Sequence, residues 1–146
     1  MKKCIDVMTK DPAACLPTDM VAKAAGLMKS ENVGSIPVVQ NEQSQVLVGI
    51  VTDRDLALKI IAEGLDAKST TVESVMTHQV ITCLGDDDLE KALDSMSENQ
   101  VRRIPIVDKD KRIVGIIAQA DMATKTDHPK RTAEMVKDIS QVGGKK

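Results

Sequence analysis

Two stretches of this chain carry residue types that can bind a ligand. The first is Gly49-Ile50-Val51-Thr52-Asp53-Arg54-Asp55. An apolar run ends at Thr52, and Asp55 follows one helical turn later, so both side chains face one cleft. A carboxylate there can accept both hydroxyls of a ribose, while the Thr hydroxyl and the helix-opening amides can hold a phosphate. The same T-x-x-D spacing also makes a plain helix start, with Thr52 as N-cap and Asp55 as a first-turn acid. The second stretch is Arg102-Arg103, whose guanidinium forks suit phosphate. Solvated side chains at a strand entry are the simpler reading of that pair, and neighbours on a strand point to opposite faces.

Other chemistry is sparse. His78 and His128 sit beside no nucleophile or second ligand in the sequence. The Asp86-Asp87-Asp88 run offers oxygens to a hard cation, but a solvated helix start explains it more simply. No G-x-x-x-x-G-K-[ST], G-x-G-x-x-G, G-x-S-x-G or H-E-x-x-H pattern occurs.

The elements that position these residues occur twice. Met8-Thr9 leads to Gly34-Ser35-Ile36-Pro37-Val38-Val39 and then to Val48-Gly49-Ile50-Val51; Met76-Thr77 leads to Arg102-Arg103-Ile104-Pro105-Ile106-Val107 and then to Val114-Gly115-Ile116-Ile117. The offset is 68 from Met8 to Met76 and from Pro37 to Pro105, and 66 from Gly49 to Gly115 and from Asp55 to Asp121. A two-residue deletion in the polar segment after Val39 accounts for the change, and loops tolerate such changes. Each copy opens with an apolar turn (Ile5, Val7, Met8; Val72, Val75, Met76) and an extended stretch (Ala13–Leu16; Val80–Cys83). A helix follows, announced by Thr18/Asp19 and by Asp86-Asp87, with apolar stripes Val21, Ala24, Ala25, Met28 and Leu89, Ala92, Leu93, Met96. Two β-branched runs come next, 36–39 with 46–51 and 104–107 with 113–117, and a second helix starts near Asp53 and near Gln119. The second run of each pair is nearly all apolar and belongs centrally in its sheet. The prediction is an α+β chain of two β-α-β-β-α repeats packed through their sheets with pseudo-two-fold symmetry. Residues 1–66 form repeat 1, 67–126 repeat 2, and 127–146 a C-terminal helix (Met135, Val136, Ile139, Val142) with a frayed tail.

Composition narrows the partners. The 146 residues carry a formal charge of −2 and no Phe, Tyr or Trp, so the core is built from aliphatic side chains and eight Met. A basic field and aromatic stacking platforms are both missing, which argues against nucleic acid. No apolar run reaches membrane-spanning length and no secretory leader is evident, so a cytoplasmic location is expected. Cys4, Cys15 and Cys83 are odd in number, lie among apolar residues and show no C-x-x-C spacing. Reduced, buried thiols are expected rather than a disulfide framework or a zinc site.

From Met8 to Asp121 the chain resembles a tandem pair of cystathionine-β-synthase-type domains, the CBS pair or Bateman module. The M-T openings, the V-G-S-I-P-V-V and V-R-R-I-P-I-V-D strands and the G-I-V-T-D-R-D-L ending carry the resemblance, and little lies outside them, as in small stand-alone bacterial CBS-pair proteins. The resemblance implies two clefts for adenosine-containing ligands such as AMP, ADP, ATP or S-adenosylmethionine. In the first, Asp55 takes the ribose, Thr52 supplies a hydroxyl, Ile50 and Ile81 flank the base, and Arg102 and Arg103 meet phosphate. In the second, Asp121 is retained with Ile116 and Ala13 at the base, and Arg54 reaches across. Ala118 replaces the Thr there and Gly34-Ser35 replaces the Arg pair, so the clefts should be unequal. The expected function is a non-catalytic adenine-nucleotide sensor, read by a protein partner and dimeric about a two-fold axis. The alternative is a ligand-free interaction or oligomerisation scaffold.

Overall fold

A computed structural model describes residues 2–120. Its elements in chain order are α1 (Cys4–Val7), β1 (Thr9–Lys10), α2 (Val21–Glu31), β2 (Ser35–Val39), β3 (Leu47–Thr52), α3 (Asp53–Leu56) running into a π-helical turn (Ala57–Ile61), α4 (Val72–Val75), β4 (Cys83–Leu84), α5 (Leu89–Asn99), β5 (Arg103–Val107) and β6 (Ile113–Ala118). Gln119 and Ala120 open a further helix. Among the described residues no helix is long and apolar enough to cross a membrane. The helix expected at Met135–Val142, Asp121 and His128 lie outside the described residues.

The chain divides into two compact units, and these cross the sequence repeats. Among the described residues, unit 1 joins the stretch up to Asp11 to Ile81–Asp110 and to Val114–Ala120; unit 2 is Pro12–Val80 with Lys111–Ile113. Each repeat's opening turn is thus housed with the body of the other repeat.

The same strand plan serves both units. In unit 1 the sheet order is β1-β6-β5-β4. The M-T opening pairs antiparallel with β6, Thr9 opposite Ile116, and β4 runs parallel to β5, Cys83 opposite Ile106. In unit 2 the β2–β3 ladder is extended by bridges at the matching positions: Ile50 with Thr77, antiparallel, and Cys15 with Val38, parallel. The apolar second strand sits inside in each case, as its composition predicts.

Glycine makes the close approach possible. A β-carbon on Gly49 would meet the Met76 sulfur at 2.7 Å and the Thr77 carbonyl at 3.0 Å, and one on Gly115 would collide with the Met8 sulfur and come within 2.9 Å of the Thr9 carbonyl. The repeated Met-Thr and Gly are therefore one packing device, written in distant parts of the sequence.

The long helices correct two expectations. The capping positions are Met20 and Asp88, and neither side chain caps. Asp19 and Asp87 instead bind the loops before their helices, accepting from Leu16 N–H and Leu84 N–H, each at 2.8 Å, and pairing with Lys23 and Lys91. The acids fix the approach to the helix rather than its first amides. Ala25, placed in the apolar stripe by its spacing, is exposed, whereas its counterpart Leu93 is fully buried. Both helices end on a left-handed residue, Asn32 (φ 55°) and Gln100 (φ 53°). The next amides, Val33 and Val101, then donate back to Met28 and Met96.

Candidate functional site

The end of β3 is built by sequence-local bonds. Thr52 is extended, and its hydroxyl accepts from Asp55 N–H at 3.0 Å, while the Asp55 carboxylate accepts from Thr52 N–H at 3.0 Å. This reciprocal pair is a capping box that opens α3. The helix-start reading of T-x-x-D is therefore correct, and it fixes both side chains in one rotamer at the strand end.

The carboxylate does more than cap. Asp55 is buried, at 8% exposure. Besides Thr52 it accepts from the Thr77 hydroxyl, at 3.3 and 3.5 Å to its two oxygens, and pairs with Lys59 Nζ at 3.0 Å. Lys59, on the π-helical turn, also donates to the Val75 carbonyl at 2.9 Å. Ile50 exchanges both backbone hydrogen bonds with Thr77, at 3.0 and 2.8 Å. A buried charge needs such satisfaction, since an unpaired carboxylate out of water is costly. Thr77 and Lys59 were not singled out from sequence; the repeated Met-Thr opening was the available signal for the first.

Ser35 was also underrated. It stands opposite Thr52 in the β2–β3 register, so the two side chains share a face of the ladder. Its hydroxyl is the one buried side-chain oxygen or nitrogen without a hydrogen-bond partner among the described residues. Such an orphan beside Thr52 is a group that a bound molecule can satisfy. Next to it, a β-carbon on Gly34 would lie 3.0 Å from the exposed Asp53 carboxylate, a tight approach that a small movement of that side chain relieves. Asp53 N–H donates to the Gly34 carbonyl at 2.8 Å.

Of the residues assigned to the first cleft, Ile50, Thr52 and Asp55 come together in unit 2, along with Ala13 and Arg54 from the second set. Ile50 and Ala13 are half-buried, and Arg54 is exposed. Ile81, Arg102, Arg103 and Ile116 belong to unit 1. There Ile81 and Arg102 are exposed, Arg103 opens β5 half-buried, and Ile116 is buried in β6 opposite Thr9. The Arg102 carbonyl accepts from Gln119 N–H at 2.8 Å, which repeats the Gly34–Asp53 bond of the other unit. At the end of β6 Ala118 brings no hydroxyl.

Among the described residues no group of three or more His, Cys, Asp or Glu could hold a metal ion, Asp86-Asp87-Asp88 included. His78 is exposed, and all three cysteines are buried and free.

Comparison with known proteins gives a consistent picture. A family model for the CBS domain matches twice, at residues 4–62 and 72–126. The CBS domain-containing protein YhcV of Bacillus subtilis is 42% identical over 118 residues, 81% of either chain. The uncharacterized protein YlbB of the same organism is 38% identical over 141 residues, covering 97% of this chain and 93% of that one. The crystal structure of the CBS domain pair of protein MJ0100, in complex with 5′-methylthioadenosine and S-adenosyl-L-methionine, is similar with a TM-score of 0.73 at 27% identity, over 100% of this chain and 99% of that one. Two copies of the motif-bearing unit, two family matches and a full-length structural relative place this chain in the CBS domain family, as a tandem CBS pair.

Proposed function

We propose that the chain is a non-catalytic sensor that binds an adenosine-containing ligand at the Thr52–Asp55 strand end. The observation that carries this reading is the buried Asp55 carboxylate, held in place by its own capping box. A carboxylate offers about four lone-pair sites, enough to keep the Thr52 amide and still take ribose hydroxyls. The replaceable partners are the Thr77 hydroxyl, already at 3.3 Å or longer, and Lys59, whose side chain is half exposed. The Thr52 hydroxyl accepts from Asp55 N–H and still has a proton to donate, and Ser35 has an unused hydroxyl on the same face. The MJ0100 relative with its two adenosine-containing ligands supports the ligand class. AMP, ADP and ATP remain the first candidates because Arg102 and Arg103 suit phosphate.

The same geometry suggests how binding is felt. Asp55, Lys59 and Thr77 tie the π-helical turn to the opening of the second repeat, through Val75 O and the Ile50–Thr77 bridge. A ribose competing for Asp55 loosens that tie, so two arrangements of the tie have different ligand affinities, as a switch requires. A protein partner would read the difference. The chain in this account acts as a two-fold dimer. The apolar side chains Leu58 and Leu65, about half exposed, and Ile61, 78% exposed, favour association.

A thermal-shift panel of 5′-methylthioadenosine, S-adenosylmethionine, AMP, ADP and ATP tests the ligand class. At least one should raise Tm by several degrees at a hundredfold excess over Kd; no shift with any of them at millimolar concentration leaves the scaffold reading. Replacing Arg102 and Arg103 together by Ala should weaken ATP and AMP while sparing 5′-methylthioadenosine, which has no phosphate. Sedimentation at tens of micromolar should give a dimer, and a monomer there would remove the association proposal.

A further inference from the structure

Ser35 opens β2 with 8% of its surface exposed, and its hydroxyl has no hydrogen-bond partner. The ladder explains how it comes to be there. Ile36 and Val38 of β2 and Val51 of β3 belong to the aliphatic core of unit 2. Strand alternation turns Ser35, Pro37, Ile50 and Thr52 to the other face, with Ser35 opposite Thr52 and Pro37 opposite Ile50. The hydroxyl is therefore not a misplaced core group. Opposed β-carbons on an antiparallel pair lie about 5 Å apart, so the Ser35 and Thr52 hydroxyls are neighbours. The Thr52 oxygen accepts from Asp55 N–H at 3.0 Å, which leaves its proton to donate beside that of Ser35.

We propose that Ser35 is a ligand-binding, specificity-determining residue whose hydroxyl donates, together with that of Thr52, to the 5′-phosphate of an adenine nucleotide. The proposal rests on the reading of this strand end as an adenosine site and names the ligand class within it. Asp55 takes the 2′ and 3′ hydroxyls of the ribose, and the 5′ substituent leaves from the opposite edge of the ring. Phosphate oxygens are charged and rich in lone pairs, so they accept from two converging hydroxyls. A thioether sulfur is a weak acceptor and leaves both protons unmet. The strand end thus favours AMP over 5′-methylthioadenosine. Two carboxylates stand near the anion: Lys59 pairs with Asp55 at 3.0 Å, and Asp53 is exposed to solvent that screens it.

Gly34-Ser35 occupy the place of Arg102-Arg103 in the other repeat. In this account the position keeps a phosphate donor and exchanges a charged one for a neutral one. A buried hydroxyl without a partner destabilises the free chain, and a bound acceptor recovers that loss. Ser35 is then a residue that the ligand requires and the fold does not.

The test is calorimetric titration of AMP and 5′-methylthioadenosine into the full chain and into Ser35→Ala, with a thermal melt of each chain without ligand. Ser35→Ala should bind AMP about tenfold more weakly, bind 5′-methylthioadenosine within about twofold of wild type, and melt at the same temperature or higher. Ser35→Cys, close in size and with only a weak S–H donor, should repeat the loss for AMP. A wild-type chain that binds neither compound overturns the adenosine reading and this assignment with it. A wild type that prefers 5′-methylthioadenosine, an unchanged AMP affinity in Ser35→Ala, an equal loss for both compounds, or a lower Tm of the unliganded variant overturns the Ser35 assignment alone.

Discussion

The two strand ends, Thr52 in unit 2 and Ala118 in unit 1, share a backbone and differ in chemistry. Each follows an inner strand whose glycine admits a methionine, and each is followed by an amide bonded to the carbonyl two positions before an Ile-Pro pair. At Thr52 the frame holds a capping box, a buried carboxylate, a second hydroxyl and a lysine. At Ala118 a methyl group stands where Thr52 has its hydroxyl. The sequence keeps Asp55 as Asp121, Lys59 as Lys125 and Thr77 as Thr9, so what the two copies vary is Thr52 against Ala118 and Gly34-Ser35 against Arg102-Arg103, while the packing is kept. A fold supported by backbone pairing and aliphatic burial can lose a Thr or an Arg at a strand end without losing its sheet.

That contrast can be broken or sharpened by substitution. The largest expected effect is in packing: Leu93→Ala in α5 should cost about 3 kcal/mol in urea unfolding, because it empties a fully buried site. Ala25→Ser, at the matching but exposed position of α2, should stay within about 0.5 kcal/mol. Comparable costs would mean the two helices bury the same face. A smaller effect, about 1 kcal/mol or less and in the stabilising direction, is expected for Ala118→Thr, which supplies unit 1 with the missing capping hydroxyl. A loss of Tm would show that the β6 end cannot take the added group, and that the inequality of the two ends is set by space as well as by chemistry.

Much of the fold was legible because its signals are local or repeated. The two β-branched runs and the long helices follow from periodicity, and the inner position of β3 and β6 follows from their continuous apolar runs. Three things were not legible. The exchange of opening turns between units depends on tertiary pairing, with Thr9 opposite Ile116 and Thr77 opposite Ile50, which no window of sequence contains. Asp19 and Asp87 bonded the preceding loop because Met20 and Asp88 already held the cap position in extended geometry. Ala25 fits the apolar stripe by spacing, but a methyl group adds little burial and the helix turns it outward. In the site, Thr52 and Asp55 were visible as a motif, whereas Lys59, Thr77 and Ser35 became partners or neighbours only once the strands and the π-helical turn were in place.

Calorimetric titration of the best ligand of the adenosine panel into the wild-type chain, Asp55→Ala and Asp121→Ala tests the central claim most directly. Asp55→Ala should lose about tenfold to a hundredfold in affinity, the equivalent of about 1 to 3 kcal/mol for a buried polar contact. Its circular dichroism will show whether α3 survives the loss of its cap. Asp121→Ala, whose strand end has Ala118 in place of the Thr, should lose much less. A larger loss for Asp121→Ala than for Asp55→Ala would contradict the account and move the ligand to the other strand end.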